Sequence, residues 1–332
     1  IIMKTEVKKL RDYDIDLEDE VTLITYNCHH HEILYVKNKN SKPRIKLLPN
    51  HMYQDLTTGE IKPCKKQISN RSQGKVSLRK TFKSIREAIN VNCEDVRKCK
   101  MVTLTYDEVM RDTKKFDSDI NKFVKKFNYR YGKSENIKVC EAQSSGSLHS
   151  HIIFIWEDIA PYIDYKDLIK VWGKGYVKVT PLYGNVDDLG AYFTACLSDL
   201  PIEESNMTYE EVREKNLLIK EVYVDVKTGE QLKCPKYFIK SGRLQFYPPN
   251  FRIFRPSRGL KKPLKEKMEN KEALEKVDSN EPTYESYLQV LDENGNELNV
   301  IVRKCYNSMR FPREDDKEPE LVFNILDDLS SS

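Results

Sequence analysis

The segment Glu141-Ala142-Gln143-Ser144-Ser145-Gly146-Ser147-Leu148-His149-Ser150-His151-Ile152-Ile153-Phe154-Ile155-Trp156 constrains this chain more than any other, because two histidines one residue apart open a strongly apolar run. Alternate residues of a strand share a face, so His149 and His151 point the same way and are able to hold one metal ion. Glu141 lies one short turn upstream, on a strand that Ser144 to Ser147 would return antiparallel into Leu148 to Trp156. That return brings its carboxylate alongside the rings. Gln143 shares the face of Glu141 and competes for the third ligand position or supports it from behind. The polar start of an ordinary buried strand has the same His-x-His pattern, so the neighbouring elements have to decide.

Those neighbours alternate in period. Ser77 reads as an N-cap before Leu78, Phe82, Ile85 and Ile89 at helical spacing, with Arg79, Lys80, Lys83 and Arg86 decorating that helix. Met101 to Tyr106 is β-branched and aromatic and reads as a strand. From Phe116, the residues Ile120, Phe123, Val124, Phe127 and Tyr131 line one helix face, and Gly132 ends it. A strand from Ile137 to Gln143, its return, a helix over Tyr165 to Trp172, a strand over Tyr176 to Thr180 and a helix over Asp187 to Ser198 complete the unit. The fold class is therefore α+β: a central antiparallel sheet with helices packed on it, plus peripheral β-hairpins.

Composition sets outer limits. At 332 residues and 39% hydrophobic content the chain can bury a substantial core, and a net charge of +4 argues only weakly for a polyanionic partner. The distribution says more, since basic residues gather at Lys65-Lys66, Arg71 to Arg86, Lys122 to Lys126 and Arg252 to Lys267, and acidic ones from Glu314 to Asp328. The eight cysteines include no CxxC pair, and no run reaches the roughly 18 apolar residues of a membrane span. With no secretory h-region at Ile1-Ile2-Met3-Lys4, a reduced, soluble, cytoplasmic protein is expected. His29-His30-His31 beside Cys28 would bind a metal or stand exposed at a strand edge, and residues 38–75 read as a polar, basic connection.

The ordered blocks resemble the HUH endonucleases, and within them the rolling-circle replication initiators of Gram-positive plasmids and related phages. The blocks run through residues 75–263: Val102 to Tyr106, Glu141 to Trp156, Val171-Trp172-Gly173-Lys174-Gly175, Asp188 to Asp199, Lys236 to Leu244, and Phe254 to Pro263. The resemblance implies a bacterial protein, plasmid- or phage-encoded, that nicks one strand of single-stranded or stem-loop origin DNA. A tyrosine hydroxyl would attack the scissile phosphate, giving a 5′-phosphotyrosine link and a free 3′-hydroxyl that primes synthesis. Glu141, His149 and His151 would hold a divalent ion, manganese or magnesium by the mixed nitrogen and oxygen donors. No GxxxxGK[ST] motif is present in the sequence, so a host helicase and polymerase are the expected partners.

Tyr192 is the expected nucleophile, in a block resembling the family's Ala-Tyr-x-x-x-x-Leu. Many relatives carry a lysine three residues later, where this chain has Ala195; Tyr237 with Lys240 matches that spacing and is the alternative. Lys240 would replace the missing lysine in space, helping to meet the roughly 4 kcal/mol needed to ionise a tyrosine at pH 7. The family has a hydrophobic residue where Ser150 stands, so Ser150 should find a backbone acceptor or a thinly covered part of the sheet. Arg243, Arg252, Arg255, Arg258, Lys261 and Lys262, interleaved with Phe246, Tyr247, Phe251 and Phe254, form either a DNA-gripping surface or an aromatic core with snorkelling arginines. The expected domains are a β-rich extension over 1–76, the nickase domain over 77–263 with an insertion at about 200–245, and a linker, hairpin and acidic tail over 264–332. A DNA-binding protein on this fold without turnover, serving as repressor or origin marker, and a relaxase or transposase of the same chemistry are the alternatives.

Overall fold

The computed structural model describes residues 6–39, 45–50, 52–64, 75–143, 145–182, 199–205, 207–215, 219–224, 231–239, 242–249, 251–277, 281–292 and 294–308. It divides into two compact units, residues 1–67 with 263–332, and residues 68–262.

In the first unit β1 (Glu6–Lys9), β2 (Glu20–Thr25), β3 (His30–Val36), β15 (Leu264–Glu269), β16 (Tyr284–Leu291) and β17 (Glu297–Asn307) form one antiparallel sheet in the order β1-β16-β17-β3-β2-β15. The segments expected as a separate extension and a separate tail thus share a sheet: β17 pairs with β3 from Ile301↔Val36 to Asn307↔His30. Alternation explains the core, since Val21, Leu23, Ile33, Tyr35, Val300 and Val302 pack on one face with Ala273 and Val277 from and beside α5 (Asn270–Lys276). On another side of this unit, buried Glu32 accepts from Tyr26 Oη at 2.9 Å and pairs with Arg303 Nε at 3.0 Å. The expected hairpin at Tyr284 is β16 and β17, turning through Gly295 at φ +84°, a conformation in which glycine meets no Cβ clash. Residues 38–75 are not simply a connection, because β4 (Ile45–Leu48), β5 (Met52–Asp55) and β6 (Ile61–Pro63) form a small antiparallel sheet there. The acidic tail from Glu314 lies outside the described residues.

The second unit is built on a five-stranded antiparallel sheet of β7 (Cys99–Leu104), β8 (Glu135–Ala142), β9 (Leu148–Ile155), β10 (Val177–Pro181) and β14 (Phe254–Pro256), ordered β10-β7-β9-β8-β14. Helix α1 (Lys75–Asn92) packs against β8 and β14, burying Leu78, Phe82, Ile85 and Ile89. Ser77 is not its cap, for the helix already starts at Lys75. Helix α2 (Thr113–Tyr131) starts three residues before Phe116 because the Asp112 carboxylate accepts from the N–H groups of Lys114 and Lys115. Its buried Phe127 stacks on Phe154 of β9 at a ring separation of 3.8 Å, and Phe123 meets Trp172 edge-on. Helix α2 therefore covers the face of β9 that carries Ser150, Ile152 and Phe154, and the two histidines turn to the other face. Helix α3 (Tyr165–Trp172) is capped by Asp164 and ended by Gly173 at φ +61°.

The expected insertion contains β11 (Leu200–Pro201), α4 (Tyr209–Glu214), β12 (Ile219–Val224) and β13 (Gln231–Ile239), with the strands in a separate sheet ordered β11-β13-β12 over Leu200, Val212 and Ile239. The expected helix over Asp187 to Ser198 lies outside the described residues.

The Phe127–Phe154 stack gives a direct test of this packing. Phe127→Ala is expected to destabilise the second unit by about 3–5 kcal/mol. Both tryptophans, Trp156 and Trp172, belong to that unit, so urea unfolding followed by tryptophan fluorescence reads the loss.

Candidate metal centre and active site

The register of three neighbouring strands builds the site. Between β8 and β9, Glu141 stands opposite His149 and Val139 opposite His151; between β7 and β9, Thr103 stands opposite His151. Glu141, both imidazoles and Thr103 therefore project from the same face. Glu141 Oε2 lies 2.6 Å from His151 Nε2. His149 is buried, and its Nε2 has no hydrogen-bond partner among the described residues. The Nδ1 atoms face hydroxyls instead: Thr103 Oγ1 is 3.1 Å from that of His151, and Thr105 Oγ1 is 3.4 Å from that of His149.

Electrostatics follow from burial. Loss of water pushes the His149 imidazole down from the ordinary 6.5 to about 4, so it is neutral at physiological pH with a lone pair available. Burial acts on Glu141 in the opposite sense, toward a higher value. The hydrogen bond and electrostatic attraction from His151, followed by the Arg243 guanidinium, outweigh it and hold the carboxyl below its usual range. Arg243 itself is buried, with Nη1 at 3.0 Å from Glu141 Oε1, Nη2 at 3.2 Å from Glu204 Oε2 and Nε donating to the Asp199 carbonyl at 3.2 Å. The two oxygens of Glu141 are thus differently engaged, one with the cation of Arg243 and one with His151.

Two nitrogens and one oxygen, with an orphaned buried imidazole nitrogen among them, fit a divalent ion better than a plain core. A buried polar atom without a partner is costly, and a ligand that takes the His149 lone pair removes that cost.

The other expected site residues are distributed as follows. Gln143 closes the β8–β9 turn, its N–H donating to the Ser147 carbonyl at 2.9 Å. Tyr192, Ala195 and Lys240 lie outside the described residues. Tyr237 sits on β13 with its ring against Tyr209 at 4.9 Å. Tyr247 adjoins the centre, but it is fully buried, donates to the Cys140 carbonyl at 3.1 Å, and is held strongly protonated by burial and by the charge of Glu141. Arg255 pairs with Asp117 at 2.6 Å and lies 5.0 Å over the Phe251 ring, its guanidinium largely withdrawn from water, whereas Arg252, Arg258, Lys261 and Lys262 are exposed.

One sequence expectation is corrected here. Ser150 is fully buried on the α2 face and its Oγ has no hydrogen-bond partner among the described residues, because the register that exposes the histidines must send it into the core. The three histidines of the 29–31 cluster meet different neighbours: His29 Nδ1 meets Ser308 Oγ at 3.0 Å, His31 Nδ1 meets Thr25 Oγ1 at 3.3 Å, and the His30 ring packs on Tyr26 at 4.7 Å. Sequence reasoning also missed Thr103 and Thr105 as neighbours of the rings. The available signal was a Thr-x-Thr on one strand matching a His-x-His on another.

Residues 99–199 match the family model described as replication-associated protein of the ORF2 type, a family of rolling-circle replication initiators. The match covers less than half of the chain, from the first residue of β7 to Asp199, and so takes in Thr103, Glu141, His149, His151 and Tyr192 but not Arg243. No curated protein and no solved structure matches. The similarity points to a role in replication initiation, with DNA as partner. No described helix is long and apolar enough to cross a membrane.

Two measurements probe the centre. Arg243→Ala leaves the half-buried Glu141 carboxylate without its cation and is expected to cost about 2–4 kcal/mol of stability, read by the same urea unfolding. In metal-free protein the unfolded chain protonates His149 near 6.5 and the folded chain near 4. The stability this group contributes is therefore complete above 6.5 and lost as the pH falls toward 4, by at most about 3 kcal/mol, and His149→Gln is expected to flatten that part of the pH profile.

Proposed function

We propose that this protein is a metal-dependent HUH-type nickase and strand transferase that starts rolling-circle replication by cutting one strand of single-stranded or stem-loop origin DNA. The observation that carries the reading is that Glu141, His149 and His151 project from one sheet face, with Glu141 Oε2 at 2.6 Å from His151 Nε2 and with no hydrogen-bond partner for His149 Nε2 among the described residues. Glu141 through Oε2 and the two imidazoles would hold the ion, manganese or magnesium by their donor set. Bound there, such an ion supplies a Lewis acid that polarises the scissile phosphate and offsets its developing charge.

Tyr192 is the proposed nucleophile and Tyr237 the alternative. The phenol gives up its proton, its oxygen bonds to phosphorus, and the bond from phosphorus to the 3′ oxygen breaks, leaving a 5′-phosphotyrosine and a free 3′-hydroxyl. Lys240 is proposed to ease loss of the phenolic proton. The exposed Arg252, Arg258, Lys261 and Lys262 are proposed to meet backbone phosphates; each such contact would make binding weaken with added salt. A host helicase and polymerase would complete the replication step.

Incubation of the full chain with a single-stranded origin oligonucleotide and manganese is expected to give a protein–DNA adduct that survives denaturation. Glu141→Gln and His151→Ala should lower its yield by at least about a hundredfold, and Tyr192→Phe should abolish it. Loss of the adduct in Tyr237→Phe but not in Tyr192→Phe would reassign the nucleophile. Specific binding with no adduct under any condition would identify instead a repressor or origin marker on the same fold.

A further inference from the structure

The two histidines do not stand alone on their face. His-Ser-His of β9 runs antiparallel to the end of β7, with Thr103↔His151 and Leu104↔Ser150 in register, and Thr105, the residue after β7, reaches His149 one step further on. The same contact occurs twice: a threonine Oγ1 lies 3.1 Å from Nδ1 of His151 and 3.4 Å from Nδ1 of His149, and in neither case does it engage Nε2. Resting on the metal reading above, we propose that Thr103 and Thr105 are positioning residues of this centre. Each hydroxyl accepts the Nδ1 proton of one ring, and so fixes the tautomer in which Nε2 offers its lone pair to a divalent cation.

The chemistry suits a hydroxyl, which can donate or accept by rotating about its C–O bond. Without an ion, His151 Nε2 and Glu141 Oε2 share a proton across 2.6 Å, and Thr103 can donate to Nδ1. If Nε2 and the carboxylate turned to a cation, the Nε2 proton would pass to solvent and Nδ1 would take up one from solvent, a net change of tautomer, after which Thr103 would accept from Nδ1–H instead. His149 needs no such change, since its Nε2 has no hydrogen-bond partner among the described residues.

Both hydroxyls stand on fixed backbone. Thr103 lies in the ladder between β9 and β10, opposite Lys178. Thr105 donates its N–H to the Tyr176 carbonyl at 2.9 Å, and its carbonyl accepts from Trp172 Nε1 at 3.0 Å. A Cβ on Gly175, whose φ is +139°, would lie 2.5 Å from the Thr105 carbonyl oxygen and from Asp107 N. Only glycine lets that segment approach closely enough for Tyr176 to reach Thr105. The block Val171 to Gly175 thereby acquires a physical role: it buttresses the threonine that orients His149.

The test uses the full chain and needs no DNA. Manganese affinity is measured by paramagnetic resonance of the free ion for the wild type, Thr103→Val, Thr105→Val and the corresponding serine variants, and the tautomers of metal-free wild type are read by long-range proton–nitrogen NMR. Each valine variant is expected to lose about 10- to 100-fold in affinity with an unchanged unfolding midpoint, each serine variant to stay within about threefold, and His149 to carry its proton on Nδ1. Valine variants that bind manganese as tightly as the wild type, or a His149 proton on Nε2, would overturn the proposal. Should a valine variant not fold, the wild-type tautomer and the serine variants still decide. Wild-type protein that binds manganese but forms no DNA adduct sinks the nicking reading and leaves this one standing, whereas wild-type protein that binds none sinks this one.

Discussion

The antiparallel register between β8 and β9 is the constraint on which the candidate site depends. It is set by a short turn in which Gln143 N–H meets the Ser147 carbonyl, Gly146 takes φ +76°, and Arg111 Nη2 donates to the Ser145 carbonyl at 2.8 Å. Because side chains alternate with a period of two, a slip of one residue would send both imidazoles under α2 and bring Ser150 out in their place. The aromatic packing on the other face works against that slip, for Phe154 must stay beneath Phe127 and Phe123. Ligand geometry on one side of the sheet is thus held by hydrophobic packing on the other. The unsatisfied hydroxyl of Ser150 is a cost of this arrangement, since the register leaves that side chain nowhere else to go.

Charge is balanced before any ligand arrives. A buried carboxylate is tolerable only with a partner, and Glu141 has Arg243 on one oxygen and His151 on the other. Arg243 also binds the carbonyl of Asp199, the last residue of the family match, so the centre is tied to the end of the expected nucleophile block. It is a structural cation rather than a surface one.

Much of the second unit was legible in the sequence because its signals are local. The His-x-His, the four phenylalanine and isoleucine positions of α2 and the capping glycines are all patterns within a few residues, and each has a physical reading of its own. What escaped notice depends on pairing between distant segments. Thr103 and Thr105 matter only because β7 lies beside β9, and Arg243 was read as a phosphate contact because its carboxylate partners stand 102 and 39 positions away in the chain, at Glu141 and Glu204. Ser150 and the start of α1 erred for a smaller reason. A rule about one residue was overridden, in the first case by sheet register and in the second by a helix that begins a turn sooner.

The sheet of the first unit has strands from both sides of the second: β2 and β3 precede it in sequence, whereas β15, β16 and β17 follow it. Its central pairing, His30 with Asn307, spans most of the polypeptide. During synthesis β3 therefore waits, its hydrogen-bonding edge open toward β17, until some two hundred and sixty further residues have emerged from the ribosome, while the strands and helices between can already condense on local contacts. The nesting sets when partners become available: the whole unit that carries the histidines has been made before β15, β16 and β17 of the enclosing one exist.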